Sequence, residues 1–198
     1  MTADPSTVAV AQTAQQIALQ MLEERGRGAV LVGVARVDAA LEHLLQAVMA
    51  PAPARGDGLF LPERPLGSIG AKVALASRLG LIDAGVERAL HALRKLRNAF
   101  AHSAESASLA DPAHRDRLAP IVAEAHANPL WAPLDTVLAS QPPTAHGPLE
   151  PALRDYILLI TILVAFLEAT AQQLRPLQPA MVMGLAGITQ NPNPSHPA

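Results

Sequence analysis

Apolar residues recur at intervals of three and four through most of the chain, which is the spacing of amphipathic helices. The period is clear over residues 29–50 and again over residues 86–102. Residues 156–167 are apolar almost throughout, as in a buried core helix, and this run is shorter than the roughly 20 residues that cross a membrane. Long strand-like alternation is absent. The pattern predicts an all-α protein.

Capping residues and glycines mark where the helices begin and end. Asp4 before Pro5 predicts the start of a first helix that extends to about residue 24. Ser68 is expected to cap a short helix that ends near Gly80, where glycine supplies a left-handed residue. Asp83 is the predicted N-cap of the helix that follows. These signals divide the first half of the chain into four helices.

The second half of the chain has weaker signals. A helix is expected over residues 112–127, and the last long helix over residues 149–174. Prolines punctuate residues 128–148, which predicts a loop with one short turn of helix. The C-terminal sequence ITQNPNPSHPA has no apolar periodicity. We therefore expect a single bundle of five to six helices over residues 1–175 and a mobile tail over residues 176–198.

Composition narrows the possible functions. Half of the residues are hydrophobic but only 3% are aromatic, so the core must be built from Leu, Val, Ile and Ala. A formal net charge of -2 weighs against a stand-alone DNA-binding protein, which needs a basic surface. The absence of cysteine excludes disulfides, thiolate nucleophiles and cysteine-based zinc sites. No secretory signal is recognisable at the N-terminus, so we expect a cytoplasmic protein.

Other residues that can carry chemistry are assigned structural roles. The histidines outside residues 86–102 show no spacing typical of metal ligands, and no metal or cofactor is expected. They are interpreted as surface or loop residues: His43, His114, His126, His146 and His196. Trp131 and Tyr156 are interpreted as packing residues. The segment PLGSIG lacks both the G-x-G-x-x-G pattern and a Walker lysine, so a turn and a helix start are favoured there over a phosphate-binding loop.

The main candidate for chemistry is the segment RNAFAH, residues 97–102, at the end of an amphipathic helix. On a helical wheel at ~100° per residue, a polar stripe lies opposite the apolar face. The stripe consists of Arg88, His91, Lys95, Asn98 and His102. Arg97 falls instead at the edge of the apolar face, where it must snorkel or find an acidic partner. Asp38 and Glu42 on the second helix are its predicted partners.

The residue types of RNAFAH suit the cleavage of a phosphodiester. A histidine can accept or donate a proton near neutral pH. An arginine can hold a phosphate with two parallel hydrogen bonds and stabilise charge on its oxygens, and an asparagine can orient either group. RNA supplies its own nucleophile, the 2′-hydroxyl, so cleavage needs neither a metal nor a cysteine. A symmetric dimer would bring two copies of each group to one scissile phosphate.

Two resemblances to known families rest on this part of the chain. RNAFAH resembles the signature of HEPN-domain ribonucleases, in which an Arg and a His are separated by four residues and a polar residue follows the Arg. The longer stretch LPERPLGSIGAKVALASRLGLI, followed by a helix that ends in RNAFAH, resembles the mannitol operon repressor family. This second resemblance extends over residues 15–175, and both imply a helical bundle.

The first function that follows is a metal-independent endoribonuclease of HEPN type, such as a toxin or defence effector, that acts as a homodimer. The resemblance implies that His102 is the acid–base group, Arg97 the phosphate clamp and Asn98 the orienting residue. Three basic residues and a histidine on the same helix are the candidates for RNA binding, although they also fit a solvated face. They are Arg88, His91, Arg94 and Lys95.

The alternative is a non-catalytic transcriptional regulator of the mannitol operon repressor type. No helix-turn-helix and no basic recognition helix can be recognised in the sequence, so direct reading of DNA is not expected. Such a protein would act through a protein partner; for a toxin, the expected protein partner is an antitoxin. Arg97 and His102 would then be structural residues. No membrane partner is expected in either case.

Overall fold

The computed structural model describes residues 5–24, 26–52, 58–102, 107–141 and 148–190 of the chain. Within these ranges the chain forms seven helices and one pair of strands. The helices are α1 (Pro5–Met21), α2 (Gly26–Val48), α3 (Ile69–Arg78), α4 (Ala84–His102), α5 (Pro112–Ala125), α6 (Trp131–Ala139) and α7 (Pro151–Gln173). The strands are β1 (Met181–Gly184) and β2 (Gly187–Gln190). The predicted all-α bundle is confirmed.

Helix α7 forms the centre of the bundle. Every residue from 156 to 165 is buried, and Ile160 has no exposed surface. Helices α1, α2, α5 and α6 pack around it. This enclosure is required because each buried Leu or Ile side chain contributes about 1.5–3 kcal/mol when it leaves water. Within the described ranges, no helix is long and apolar enough to span a membrane.

Helices α2 and α7 approach most closely where the Tyr156 ring lies over Gly33. A Cβ atom at residue 33 would lie 2.5 Å from the phenol oxygen, so glycine is needed for this contact. The buried hydroxyl group donates a hydrogen bond of 2.9 Å to the Val30 carbonyl. Burial raises the pKa of Tyr156 above its ordinary value, so the phenol keeps the proton that it donates. The packing role predicted for Tyr156 therefore includes a polar anchor on α2.

Three predicted helix ends are confirmed by their hydrogen bonds and backbone angles. The Ser68 hydroxyl accepts a hydrogen bond of 3.2 Å from the Ala71 amide at the start of α3. Gly80, just beyond α3, has a φ of 69°. Asp83 accepts a hydrogen bond of 2.8 Å from the Val86 amide at the start of α4. The predicted N-cap of α1, residue 4, lies outside the described ranges.

The loop predicted over residues 128–148 is wrong in its first half, where α6 forms a helix of nine residues. Trp131, Leu134 and Leu138 are buried on one face of this helix. Pro133 lies in its first turn, where a backbone N–H group has no partner within the helix. Burial of the apolar face therefore stabilises a helix where the prolines predicted a loop. The described part of the chain has seven helices, whereas five or six were predicted.

The segment predicted to be a tail contains an antiparallel hairpin that the sequence pattern did not indicate. Met183 of β1 lies opposite Ile188 of β2, and both strands are exposed along their length. Gly187 begins β2 with a φ of 134°. Ahead of the hairpin, the Leu177 amide donates a hydrogen bond of 2.8 Å to the Val48 carbonyl at the end of α2. One of the four cross-strand pairs joins two β-branched residues, which favours the extended backbone.

Replacing Gly33 with Ala should lower the free energy of unfolding by about 1–3 kcal/mol, because the added methyl group would overlap the Tyr156 ring. Gly28→Ala on the same helix is the matched control, since a Cβ atom there meets only the Glu24 carboxylate, at 3.2 Å. That variant should be as stable as the wild type or more stable. Urea unfolding measures both, and equal stabilities would contradict the close approach of α2 and α7.

Candidate functional site

The end of α4, the start of α3 and one face of α2 enclose a cleft of about 520 Å³. We call it the α2–α3–α4 cleft. Leu31 and Val34 of α2 contribute apolar lining. Its polar lining residues are Asp38, Ser68, Arg94, Arg97 and Asn98. The cleft thus contains two of the three residues predicted to be catalytic.

Arg97 and Asn98 are exposed at this cleft. The contact between them is long, with Arg97 Nη1 at 3.5 Å from Asn98 Oδ1. In the described part of the chain no carboxylate forms an ion pair with Arg97. Because no described carboxylate competes for the guanidinium group, it can bind an anion from solution.

The predicted partners of Arg97, the carboxylates of Asp38 and Glu42, bind Lys72 of α3 instead. The Lys72 ammonium group donates a hydrogen bond of 2.8 Å to Glu42 and lies 3.0 Å from Asp38. It also lies 5.9 Å from the centre of the Phe60 ring. The prediction that either carboxylate pairs with Arg97 is therefore wrong, because a buried cation of α3 binds both of them.

His102 is the last residue of α4 and is exposed. It does not line the cleft with Arg97 and Asn98. Arg27 of α2 donates a hydrogen bond of 2.9 Å to the Ala101 carbonyl, which fixes this helix end against α2. The three predicted catalytic residues thus share one helix end, two of them at the cleft and the third beyond it. Residues 103–106, which follow, lie outside the described ranges.

The four residues predicted to bind RNA do not form one continuous track. Arg88 donates a hydrogen bond of 2.9 Å to Glu124 of α5. His91 lies 3.7 Å from a glutamate one turn earlier on α4. Lys95 is exposed and has no ion pair within the described ranges. Of the four, only Arg94 lines the cleft.

Lys72 is the residue near this site that the sequence-based predictions missed. It is only 2% exposed and shares the buried face of α3 with Val73 and Ala76. Lysine is almost never fully buried unless it is paired. A lone lysine at an apolar position of a helical pattern was therefore the available signal, since it implies an acidic partner on the neighbouring helix.

A second cavity, of about 420 Å³, lies between α5 and α7. Its lining is mostly apolar and includes Asp155 and His126. Partial burial raises the pKa of Asp155, and the nearby His126 opposes that shift. The His126 ring stacks on the buried Trp131 with 4.2 Å between the ring centres, which supports the packing role predicted for Trp131.

The remaining histidines are dispersed. His43 is exposed and lies 3.0 Å from Glu168. His114 lies 5.0 Å from Phe100, measured between ring centres. The other two, at positions 146 and 196, lie outside the described ranges. Among the described residues, no group of three or more His, Cys, Asp or Glu side chains could hold a metal ion.

Comparisons with known proteins leave the interpretation to the geometry of this chain. No protein-family model matches the sequence, and no curated protein or solved structure matches it. The side chains at the α2–α3–α4 cleft and at the end of α4 are therefore the features of this chain that bear on its function.

Replacing Lys72 with Met should lower the free energy of unfolding by about 1–3 kcal/mol, because Asp38 and Glu42 would lose their shared counter-charge. The cost stays below that of a fully buried pair because both carboxylates are about one-third exposed, at 34% and 30%. Lys95→Met, which removes an exposed lysine, is the control and should change stability little. Thermal unfolding compares the two, and a Lys72→Met protein as stable as the control would show that the ion pairs are unimportant.

Proposed function

We propose that this protein is a cytoplasmic, metal-independent endoribonuclease of HEPN type that acts as a homodimer. The observation that supports this proposal best is the freedom of Arg97. Its guanidinium group is exposed at a cleft and forms no ion pair among the described residues. An exposed Asn98 and an exposed His102 lie at the same end of α4. A structural arginine would be expected to have an acidic partner.

In the proposed reaction, His102 accepts the proton of the 2′-hydroxyl as its oxygen attacks the phosphorus atom. Arg97 donates hydrogen bonds to the phosphate oxygens and stabilises the negative charge that develops on them. Asn98 orients the guanidinium group through its side-chain amide. The bond from phosphorus to the 5′-oxygen then breaks, which leaves a 2′,3′-cyclic phosphate and a 5′-hydroxyl.

The leaving 5′-oxygen needs a proton, and a second histidine is the natural donor. A two-fold axis beside the end of α4 would place His102 of the partner subunit on the other side of the scissile phosphate. One histidine would then act as base and the other as acid. Asn98 and His102 are exposed, so the described residues at this helix end are compatible with such a contact. The dimer is part of the proposal because the reaction needs two histidines, and each protomer would supply only His102 to the scissile phosphate.

Purified protein should cleave single-stranded RNA in excess EDTA, and His102→Ala should abolish this activity. The melting temperature of that variant should change little, because His102 is exposed. Arg97→Ala should also abolish cleavage without unfolding the protein, since Arg97 leaves no described carboxylate unpaired. Gel analysis of the products and thermal melts of each variant check these expectations.

Arg78→Ala is the control for loss of a positive charge, because Arg78 is exposed at the far end of α3. It should cleave as the wild type does. Light scattering at micromolar concentration should give the mass of a dimer. A strict monomer, or a His102→Ala protein that cleaves RNA normally, would refute the proposed site.

A regulator that acts through a protein partner is the second candidate, and the hairpin of β1 and β2 is the observation that favours it. Met183, Leu185 and Ile188 are 86%, 112% and 70% exposed. No charged residue occurs over residues 176–190. A two-stranded hairpin alone is only marginally stable in water, and an exposed strand edge can pair with a strand of another protein. Such a surface suits a protein partner better than a nucleic acid.

The two candidates differ in which substitutions alter cellular RNA. For a regulator, replacing both Met183 and Ile188 with Ser should change the transcript levels of the controlled genes, because it removes the apolar contact surface. His102→Ala should then have no effect. For a ribonuclease, His102→Ala should alter cellular RNA, and the two hairpin substitutions should have no effect. RNA sequencing of cells that express each variant distinguishes the two, with Arg78→Ala as the neutral control.

A further inference from the structure

Arg94 is the second arginine of the α2–α3–α4 cleft and lies one turn before Arg97 on α4. Its side chain is half-buried, and its Nε atom is buried without a hydrogen-bond partner among the described residues. Its guanidinium nitrogen Nη1 lies 3.8 Å from the position that a Cβ atom of Gly70 would take. The guanidinium group of Arg94 thus lies against the first turn of α3.

The first turn of α3 adds hydrogen-bond donors beside this guanidinium group. The Ser68 hydroxyl accepts the hydrogen bond of the Ala71 amide, and the Ser68 carbonyl accepts that of Lys72. The amides of Ile69 and Gly70 donate to no group in the described part of the chain. Free amides at a helix start carry partial positive charge and favour an anion.

The acidic residue at the cleft cancels only part of this positive charge. Asp38 is the one carboxylate among the described residues that line the cleft, and it shares the charge of Lys72, at 3.0 Å, with Glu42. Arg94 and Arg97 form no ion pair with any described carboxylate. The cleft therefore has an excess of positive charge although the whole chain is slightly acidic. A phosphate group matches this arrangement of donors.

We infer that the α2–α3–α4 cleft binds the phosphate group next to the scissile one in a single strand of RNA. This inference rests on the proposed ribonuclease function and adds to it a binding site for the neighbouring phosphate. Arg94 donates to this second phosphate from α4, and the amides of Ile69 and Gly70 donate from α3. A cleft of about 520 Å³ can enclose part of a nucleotide but not a duplex.

Gly70 provides a variant that tests the site without removing any of its donors. A Cβ atom there makes only ordinary contacts, at 3.8–4.0 Å from Arg94, and an acidic residue in the first turn is favourable to a helix. Gly70→Asp should place a carboxylate where the phosphate binds and reduce RNA affinity by about tenfold or more. Gly70→Asn has the same size without the charge and should lose much less.

The probe is a 2′-O-methyl RNA oligonucleotide of about 12 residues, which the protein can bind but cannot cleave because it has no free 2′-hydroxyl. Fluorescence anisotropy at several salt concentrations gives the affinity and its salt dependence. Arg94→Ala should lower the affinity and reduce the salt slope by about 0.7, the contribution of one phosphate contact in a single strand. Arg78→Ala, with the same loss of charge elsewhere on α3, should keep the wild-type slope.

The outcomes separate this inference from the proposed catalytic site. His102→Ala should bind the probe as tightly as the wild type does. If the wild type binds the probe through Gly70 and Arg94 but cleaves no RNA, the ribonuclease proposal fails and the phosphate site stands. If folded Gly70→Asp and Gly70→Asn bind the probe equally well, the inference is overturned even when cleavage is normal. Binding of inorganic phosphate without binding of the probe would overturn it as well.

Discussion

A helix that is apolar on every side has to be surrounded by other helices, and this constraint organises the whole bundle. Helix α7 is buried without interruption from residue 156 to residue 165. Four helices pack around it, and α2, one of the longest, also contacts α3 and α4. The hydrophobic driving force is thus concentrated along one axis. The α2–α3–α4 cleft lies where α3 and α4 join α2, so its two arginines do not interrupt the core around α7.

The ion pairs of Lys72 connect this packing to the chemistry of the cleft. By binding Asp38 and Glu42, the ammonium group attaches α3 to α2. The same contacts occupy Asp38, the carboxylate that lines the cleft together with the arginines of α4. One buried cation therefore positions the first turn of α3, and Arg97 forms no ion pair with any carboxylate that the structure describes. This arrangement explains how a chain with a net charge of -2 can present a local basic cleft.

Features set by neighbouring residues could be predicted from the sequence, and features set by distant ones could not. The helix ends at Ser68, Gly80 and Asp83 follow from side-chain and backbone preferences within one turn, so they were predictable. Helix α6 depends on a buried site for Trp131, which only the assembled bundle supplies. A helical wheel places Arg97 at the edge of the apolar face of α4, but it does not show that the residue is exposed or which neighbour faces it. Asp38 and Glu42 were therefore predicted to pair with Arg97, whereas they bind Lys72.

The contact between Gly33 and Tyr156 has a consequence for how this sequence can change. A larger side chain at position 33 needs the space that the phenol ring occupies. Loss of that ring would in turn leave a void against α2 and remove the side-chain hydrogen bond to the Val30 carbonyl. Each substitution is tolerated more easily when the other accompanies it. Among relatives that keep this bundle, the two positions should therefore covary although they are far apart in the chain.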